Sequence, residues 1–257
     1  MSKIEINIED YLNGEKKEKE VIWLWKEDGL HTDWYDNGQQ KKSEVTYKDG
    51  KPEGLGTVWY ESGQKKSETN FKNGQADGLI TYWFKNGQKE WEGTFKDGKK
   101  DGLEILWKKN GQKWTEVSWN SRKKNGLLTV YHENGRKELE GTIKDEKEDG
   151  LFTGWYENGR KKREVTYKDG KRDGLLTDWY ENGQKEKEGN LEGGKEVGKW
   201  TGWHENGQKE REGTYKDGKK DGIWTWWEGN GQKWSERIWK DRALISGKYW
   251  DEEGNEK

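Results

Sequence analysis

The chain has no cysteine, one proline, one methionine and three histidines in 257 residues. Without cysteine there can be no disulfide framework and no thiolate metal site. One proline rules out a proline-rich linker. His31, His132 and His204 are scattered and have no metal-ligand spacing. Charge of one sign is also missing. With 49 basic and 51 acidic residues the net charge is −2, so no global field favours nucleic acid or an anionic membrane. There is no long apolar run: Val21-Ile22-Trp23-Leu24-Trp25 is far too short to span a membrane. The start, Met1 to Asp10, alternates apolar and polar residues and carries acids. It does not read as a secretory signal, and the expected location is the cytoplasm.

Apolar residues are scarce as well, at 27% against 39% charged. On composition alone that points toward disorder, because so little burial cannot offset chain entropy. Two things present argue otherwise. There are 19 tryptophans and 36 glycines, and they recur at a fixed period. Gly29, Gly54, Gly78, Gly102, Gly126, Gly150, Gly174, Gly198, Gly222 and Gly247 step by twenty-four residues, with one extra at the first and last intervals. The first insertion lies in Gln39-Gln40. A disordered chain has no reason to hold such a period; a solenoid or ribbon does.

The idealised unit reads D-G-L-x-T-x-W-Y-E-N-G-Q-K-x-x-E-G-T-Y-K-D-G-K-x. Gly78 to Phe84 is rich in β-branched and aromatic residues, and Lys89 to Lys96 reads as a return strand. Asn86-Gly87 and Asp97-Gly98 are expected to be two-residue hairpin turns. The predicted fold is all-β: an elongated, twisted antiparallel meander of hairpin repeats in one open sheet. No linker divides the chain, so residues 1–257 are expected to form one repeat domain. Residues 1–28 read as an N-terminal partial repeat or cap, 29–246 as nine repeats, and 247–257 as a C-terminal partial repeat. With two-residue turns, Leu79, Thr81 and Trp83 share a face with Glu92 and Thr94. Phe95 then lies on the other face, opposite Gly78, where an aromatic ring would cover exposed backbone.

Nearly every polar residue belongs to a repeating series, whereas a catalytic site needs unlike groups converging once. Glu44, Glu68, Glu92, Glu116, Glu140, Glu164, Glu188, Glu212 and Glu236 occupy one repeat position. They read as structural carboxylates bonding Thr or Lys neighbours. The lysines before them, such as Lys65, Lys89 and Lys113, read as solvated or cross-strand partners. No phosphate loop or nucleophile elbow is present. The expectation is therefore no catalysis, no cofactor and no metal. Trp83, Trp107, Trp155, Trp179, Trp203 and Trp227 are the candidate partner-binding residues. Two readings of this series stay open: sheet packing, or a ligand-facing aromatic stripe. The rings should be too far apart to stack, with the stems of Gln88, Glu90 and Lys66 between them. Weak points are expected over 119–147, where Ser121-Arg122 and Asp145-Glu146 replace Asp-Gly and should force wider turns or a bend.

Glu92-Gly93-Thr94-Phe95-Lys96-Asp97-Gly98-Lys99-Lys100-Asp101-Gly102 resembles the core of a MORN repeat, as does Glu212 to Gly222 with Tyr215 and Gly218. The longer unit with W-Y-E-N-G-Q-K is similar to the bacterial MORN-variant, YwqK-type class. The chain departs from the common pattern in carrying Leu after the unit-start glycine and Trp in the first strand. The resemblance gives structural roles to Gly78, Glu92, Phe95, Gly98, Gly102, Glu212, Tyr215, Gly218 and Gly222. It implies a hairpin ribbon that binds or scaffolds another protein, and the bacterial class commonly carries an antitoxin label. The alternative is an aromatic-stripe binder of carbohydrate, choline-like or phospholipid head groups at a wall or membrane surface.

Overall fold

A computed structural model describes residues 27–257. The N-terminal partial repeat up to residue 26, including the Val21–Trp25 run, lies outside the described residues. Twenty strands form one open antiparallel sheet, from β1 (Gly29–Trp34) to β20 (Ala243–Tyr249). Every pairing is between chain neighbours. β11 (Lys147–Glu148) and β12 (Gly150–Trp155) are two halves of one strand position, both pairing β10 (Lys137–Lys144). No helix occurs among the described residues.

One repeat shows how the sequence builds this. In β5 (Gln75–Trp83) and β6 (Lys89–Lys96), Gly78 pairs Phe95, Leu79 pairs Thr94, Ile80 pairs Gly93 and Thr81 pairs Glu92. This is the register expected from the sequence. The reason for Gly78 is different, however. β5 starts three residues earlier than expected, and the register with β4 (Lys65–Lys72) shifts between Thr69 and Phe71. Gly78 sits in this irregular stretch with φ 110°, in the region where a side chain is strained. Glycine is needed there for its backbone angle.

The two turns differ. Asp97 and Gly98 have φ 48° and 71° and join paired Lys96 and Lys99, the mirror-image two-residue hairpin expected. Asn86-Gly87 is not a two-residue turn. Phe84 N–H donates to Gln88 C=O at 2.8 Å and Gly87 N–H to Phe84 C=O at 2.9 Å. That closes a three-residue loop with Gly87 at φ 84°. Asn86 is favoured for its side chain: Oδ1 accepts from Gln88 N–H at 3.0 Å, and Nδ2 donates to Lys109 C=O in the next loop at 2.8 Å. A bulge follows, since Trp83 pairs Lys89 but Tyr82 pairs Trp91.

The wider turns expected at 121–122 and 145–146 are not found. Ser121 and Arg122 take φ 47° and 79°, Asp145 and Glu146 take 48° and 67°, and Asp241 and Arg242 take 49° and 73°. The stacked turns on either side impose the tight geometry. Gly98 N–H donates to Ala76 C=O one repeat back at 2.8 Å, and Arg122 N–H does the same to Lys100 C=O at 3.0 Å. The strain is held locally, at about 1–2 kcal/mol for each ordinary residue.

The core lies on one face, formed by side chains alternating with the Leu–Thr–Trp set. It includes Ile80, Val117, Ile143, Phe152, Val165, Leu176, Leu191, Trp200 and Trp224, all buried. A single layer buries them because neighbouring strands exchange volume. Val165 pairs Leu176, whereas Gly189 pairs Trp200. A Cβ added to Gly141, Gly189 or Gly213 would lie 2.1–2.3 Å from the ring of Phe152, Trp200 or Trp224. Tyr215 joins Trp200 and Trp224 through edge contacts at 6.0 and 4.9 Å.

Candidate binding surface

The opposite face carries the predicted Trp series. On eight of the nine described repeats Thr and Glu face each other across strands, with Ile105 standing opposite Glu116 in the other, and Thr177 donates to Glu188 at 3.1 Å. The same Glu takes an ion pair from the Lys three residues before it. Lys185–Glu188, Lys209–Glu212 and Lys233–Glu236 are at 2.6, 2.7 and 2.9 Å, and Lys65–Glu68, Lys89–Glu92 and Lys137–Glu140 form the same pair. The bulge after the Asn-Gly loop brings this Lys onto the face of the Glu. The glutamates thus bond Lys and Thr neighbours on their own sheet face.

That lysine also fixes the tryptophans. Lys65 Nζ lies over Trp83 at 5.8 Å, Lys89 over Trp107 at 5.3 Å and Lys137 over Trp155 at 6.0 Å. Lys161, Lys185 and Lys209 lie over Trp179, Trp203 and Trp227 at 5.6, 5.6 and 5.7 Å. Each ammonium bridges its own Glu and the ring of the following repeat, a cation–π contact contributing about 0.5–1 kcal/mol at an exposed site. This Lys, which the sequence had suggested only as a solvated or cross-strand partner, is thus found against the successive rings. Where Tyr131 replaces Trp, its hydroxyl donates to Glu116 at 3.0 Å. Burial, that hydrogen bond and the charges of Glu116 and Glu140 push its pKa up to about 12.

The six candidate tryptophans are half-buried. Beside them runs a row that the sequence reading did not single out. Leu30, Leu55, Leu79, Leu103, Leu127, Leu151 and Leu175 are between 44% and 64% exposed, and Ile223 continues the row at 55%. Lys199 interrupts it and pairs Glu212 at 3.1 Å. Successive leucines stand two strands apart, about 9.6 Å. The signal was present as the Leu after every unit-start glycine, but an apolar residue in a strand reads first as core. Of the predicted structural positions, Phe95 and Tyr215 lie on the core face. Gly98, Gly102, Gly218 and Gly222 hold positive φ, and Glu92 and Glu212 carry the Lys pairs.

His132 and His204 stand where other repeats have Tyr, and donate from Nε2 to the carbonyls of Trp155 and Trp227 at 2.8 and 2.9 Å. Tyr60 and Tyr180 donate to Trp83 and Trp203 at 2.7 and 2.8 Å in the same way. Among the described residues no group of three or more His, Cys, Asp or Glu could hold a metal ion.

Four repeats match the MORN repeat variant family. The matched segments are residues 52–73, 148–169, 172–192 and 196–217. Each begins near the tight Asp-Gly-type hairpin side of one unit and ends at the corresponding turn of the next. No curated protein matches the chain. MORN repeats form a non-enzymatic repeat class generally associated with protein or membrane binding. Between the four matched MORN segments, residues 74–147 keep the strand pairing of the rest, so one repeat geometry runs through matched and unmatched units.

Proposed function

We propose that this chain is a non-catalytic module that binds or scaffolds another protein through the leucine–tryptophan face. The observation that carries the reading is the exposed leucine row, which runs beside tryptophans held rigid by lysine and glutamate. Fully burying a leucine side chain contributes roughly 1.5–3 kcal/mol, so covering several half-exposed ones supplies a driving force. Rigid aromatic neighbours add area at small entropic cost, and the Lys–Glu pairs form a polar rim. A choline-like ligand would need open ring faces, yet a lysine ammonium already occupies that place on the six tryptophans. This favours a protein partner. The finer antitoxin-like reading, in which that protein is a toxin, draws its support from the W-Y-E-N-G-Q-K half-repeat.

Lys199 shows that the fold accepts lysine in the leucine row, so the test is L103K/L127K/L151K. Native extract is passed over wild-type and variant baits, and each captured protein is purified and titrated against both. The expected result is a partner that binds wild type and is lost by the variant, with the same thermal midpoint for both baits. A partner held equally by both would overturn the proposal. Growth rescue on co-expressing the chain with that partner would support the antitoxin form, and an innocuous partner would contradict it.

A further inference from the structure

The core face of the last repeats contains a constellation that the leucine–tryptophan face does not use. β19 (Lys233–Lys240) carries Ser235, Arg237 and Trp239 at alternate positions, so they share one face. Ser235 Oγ, Arg237 Nε and Trp239 Nε1 are all buried without a hydrogen-bond partner, and Ser235 is 0% exposed. Unsatisfied buried polar atoms are rare because each costs about 1–3 kcal/mol. Three on one strand face is a local concentration of unmet hydrogen-bonding groups. Beside them, on β18 (Lys219–Trp227), Lys220 Nζ lies over Trp224, Trp226 and Trp239 at 4.5, 4.8 and 5.1 Å. Among the described residues no carboxylate comes within ion-pair distance of it.

The chain contains its own comparison, 120 residues earlier. Lys100, Glu104 and Trp119 hold the repeat positions of Lys220, Trp224 and Trp239, and Trp91 that of Arg211. There the buried Glu104 carboxylate pairs with Lys100 and accepts from the indole N–H groups of Trp91 and Trp119 at 2.8 and 2.7 Å. One carboxylate thus satisfies an ammonium and two indoles at once. At the C-terminal copy Trp224 has replaced that glutamate, its own N–H donating to Thr214 C=O at 3.0 Å. Lys220 and Trp239 keep the positions of their counterparts and have lost the anion.

We propose that this face binds a carboxylate supplied from outside the chain, held by Lys220 and Arg211 with Trp239 and Arg237 beside it. A shallow cavity of about 90 Å³ opens next to Arg211 and Trp224, lined also by Lys187, Glu196, Gly202 and Tyr215. Gly202 lets the Arg211 side chain lie close over the strand at the edge of this cavity, since an added Cβ would come within 3.0 Å of its stem; the same position carries Asp178 one repeat before and Trp226 one repeat after. The acids nearby are accounted for. Asp178 is held by Arg163 at 2.6 Å and Lys187 at 3.2 Å, and Glu210 lies 3.8 Å from Arg211. Glu196 only partly offsets the burial and the charges of Arg211 and Arg237 that depress the Lys220 pKa. A bound carboxylate would relieve that excess of positive charge. The ligand is a free small carboxylate or an acidic side chain of a protein, and the chemistry is shared.

The test uses the full chain with ¹⁵N-labelled tryptophan, the Trp239 indole signal being assigned by W239F. It is titrated with succinate, with an acetylated tetra-aspartate peptide, with inorganic phosphate, and with sodium chloride at matched ionic strength. The expected result is a saturable shift of the Trp239 signal with a carboxylate and none with chloride. Tighter binding of succinate identifies a free ligand, and tighter binding of the peptide a protein side chain. Lys220→Met keeps the alkyl stem among the rings and should weaken binding about tenfold or more. Trp224→Glu should move the Trp239 signal toward that of Trp119 and abolish the titration. Should Trp224→Glu fail to fold, Lys220→Met decides. A shift that tracks ionic strength, phosphate binding as tight as any carboxylate, or an unchanged Lys220→Met titration would overturn the proposal.

Discussion

Replacing Gly189 with valine tests the volume exchange that builds the core face. In the native sheet Gly189 pairs Trp200, and a Cβ there would lie 2.1 Å from the indole. Backbone strain is not the issue, because Gly189 is absent from the positive-φ positions. The valine must push the ring aside, at a cost of about 1–3 kcal/mol for overpacking. Trp200→Leu alone empties a site that is 7% exposed and leaves the Asn190 carbonyl without its indole donor at 3.2 Å. That should cost roughly 2–4 kcal/mol. Together the two changes recreate an arrangement already in the chain. Leu176 stands between Val165 and Gly189. In the double variant the new leucine would likewise stand between the new valine and Gly213, because Trp200 pairs both Gly189 and Gly213. The double variant should therefore be more stable than the sum of the single effects by about 2 kcal/mol, within the range for residues in contact. Urea melts of wild type, both single variants and the double variant measure this. Single-variant costs that simply add would refute the volume-exchange account.

Further outcomes follow from other parts of the sheet. Arg122→Gly, Glu146→Gly and Arg242→Gly should each raise the urea midpoint by relieving a positive φ, with a gain of about 1 kcal/mol; a lowered midpoint would contradict the turn geometry. Burial pushes the Asp178 carboxyl up, but the hydrogen bonds and charge of Arg163 and the charge of Lys187 outweigh it and hold its pKa below the usual 3.8. Its contribution is therefore complete above about pH 4 and is lost as pH falls through the lowered value, so Asp178→Asn should flatten the acid side of a stability-against-pH curve. Trp155→Tyr, Trp179→Tyr and Trp203→Tyr should each lower the thermal midpoint, because the Lys contact weakens by about 0.5–1 kcal/mol. If partner affinity falls further than the folded fraction does, the ring also touches the partner; unchanged midpoints would deny the packing role.

The period, the strand pairs and the Gly78–Phe95 register were legible because hairpin turns and alternation fix pairing locally. The Asn86-Gly87 loop was misjudged because Asn-Gly serves two turn types. Only the hydrogen bonds from Phe84 and to Lys109 tell them apart. Phe95 and Trp83 were placed on opposite faces correctly, but both faces carry aromatics, so composition did not say which one is buried. Gly189 and Trp200 settle that, through a size match eleven residues apart that a reading by repeat columns averages away. The exposed Leu79 series was hidden for a similar reason: in a one-layer sheet an apolar strand residue has no second layer to cover it. Arg122 and Glu146 show that stacked neighbours can impose a turn that local sequence disfavours.

The open, single-layer ribbon underlies every other inference, and small-angle X-ray scattering tests it most directly. Nineteen strand positions at about 4.8 Å spacing give a length of roughly 85 Å and a radius of gyration of roughly 25 Å. A compact chain of 257 residues would have a value near 18 Å. A monomer in solution near 25 Å is the predicted result, and a monomer near 18 Å would contradict the open sheet.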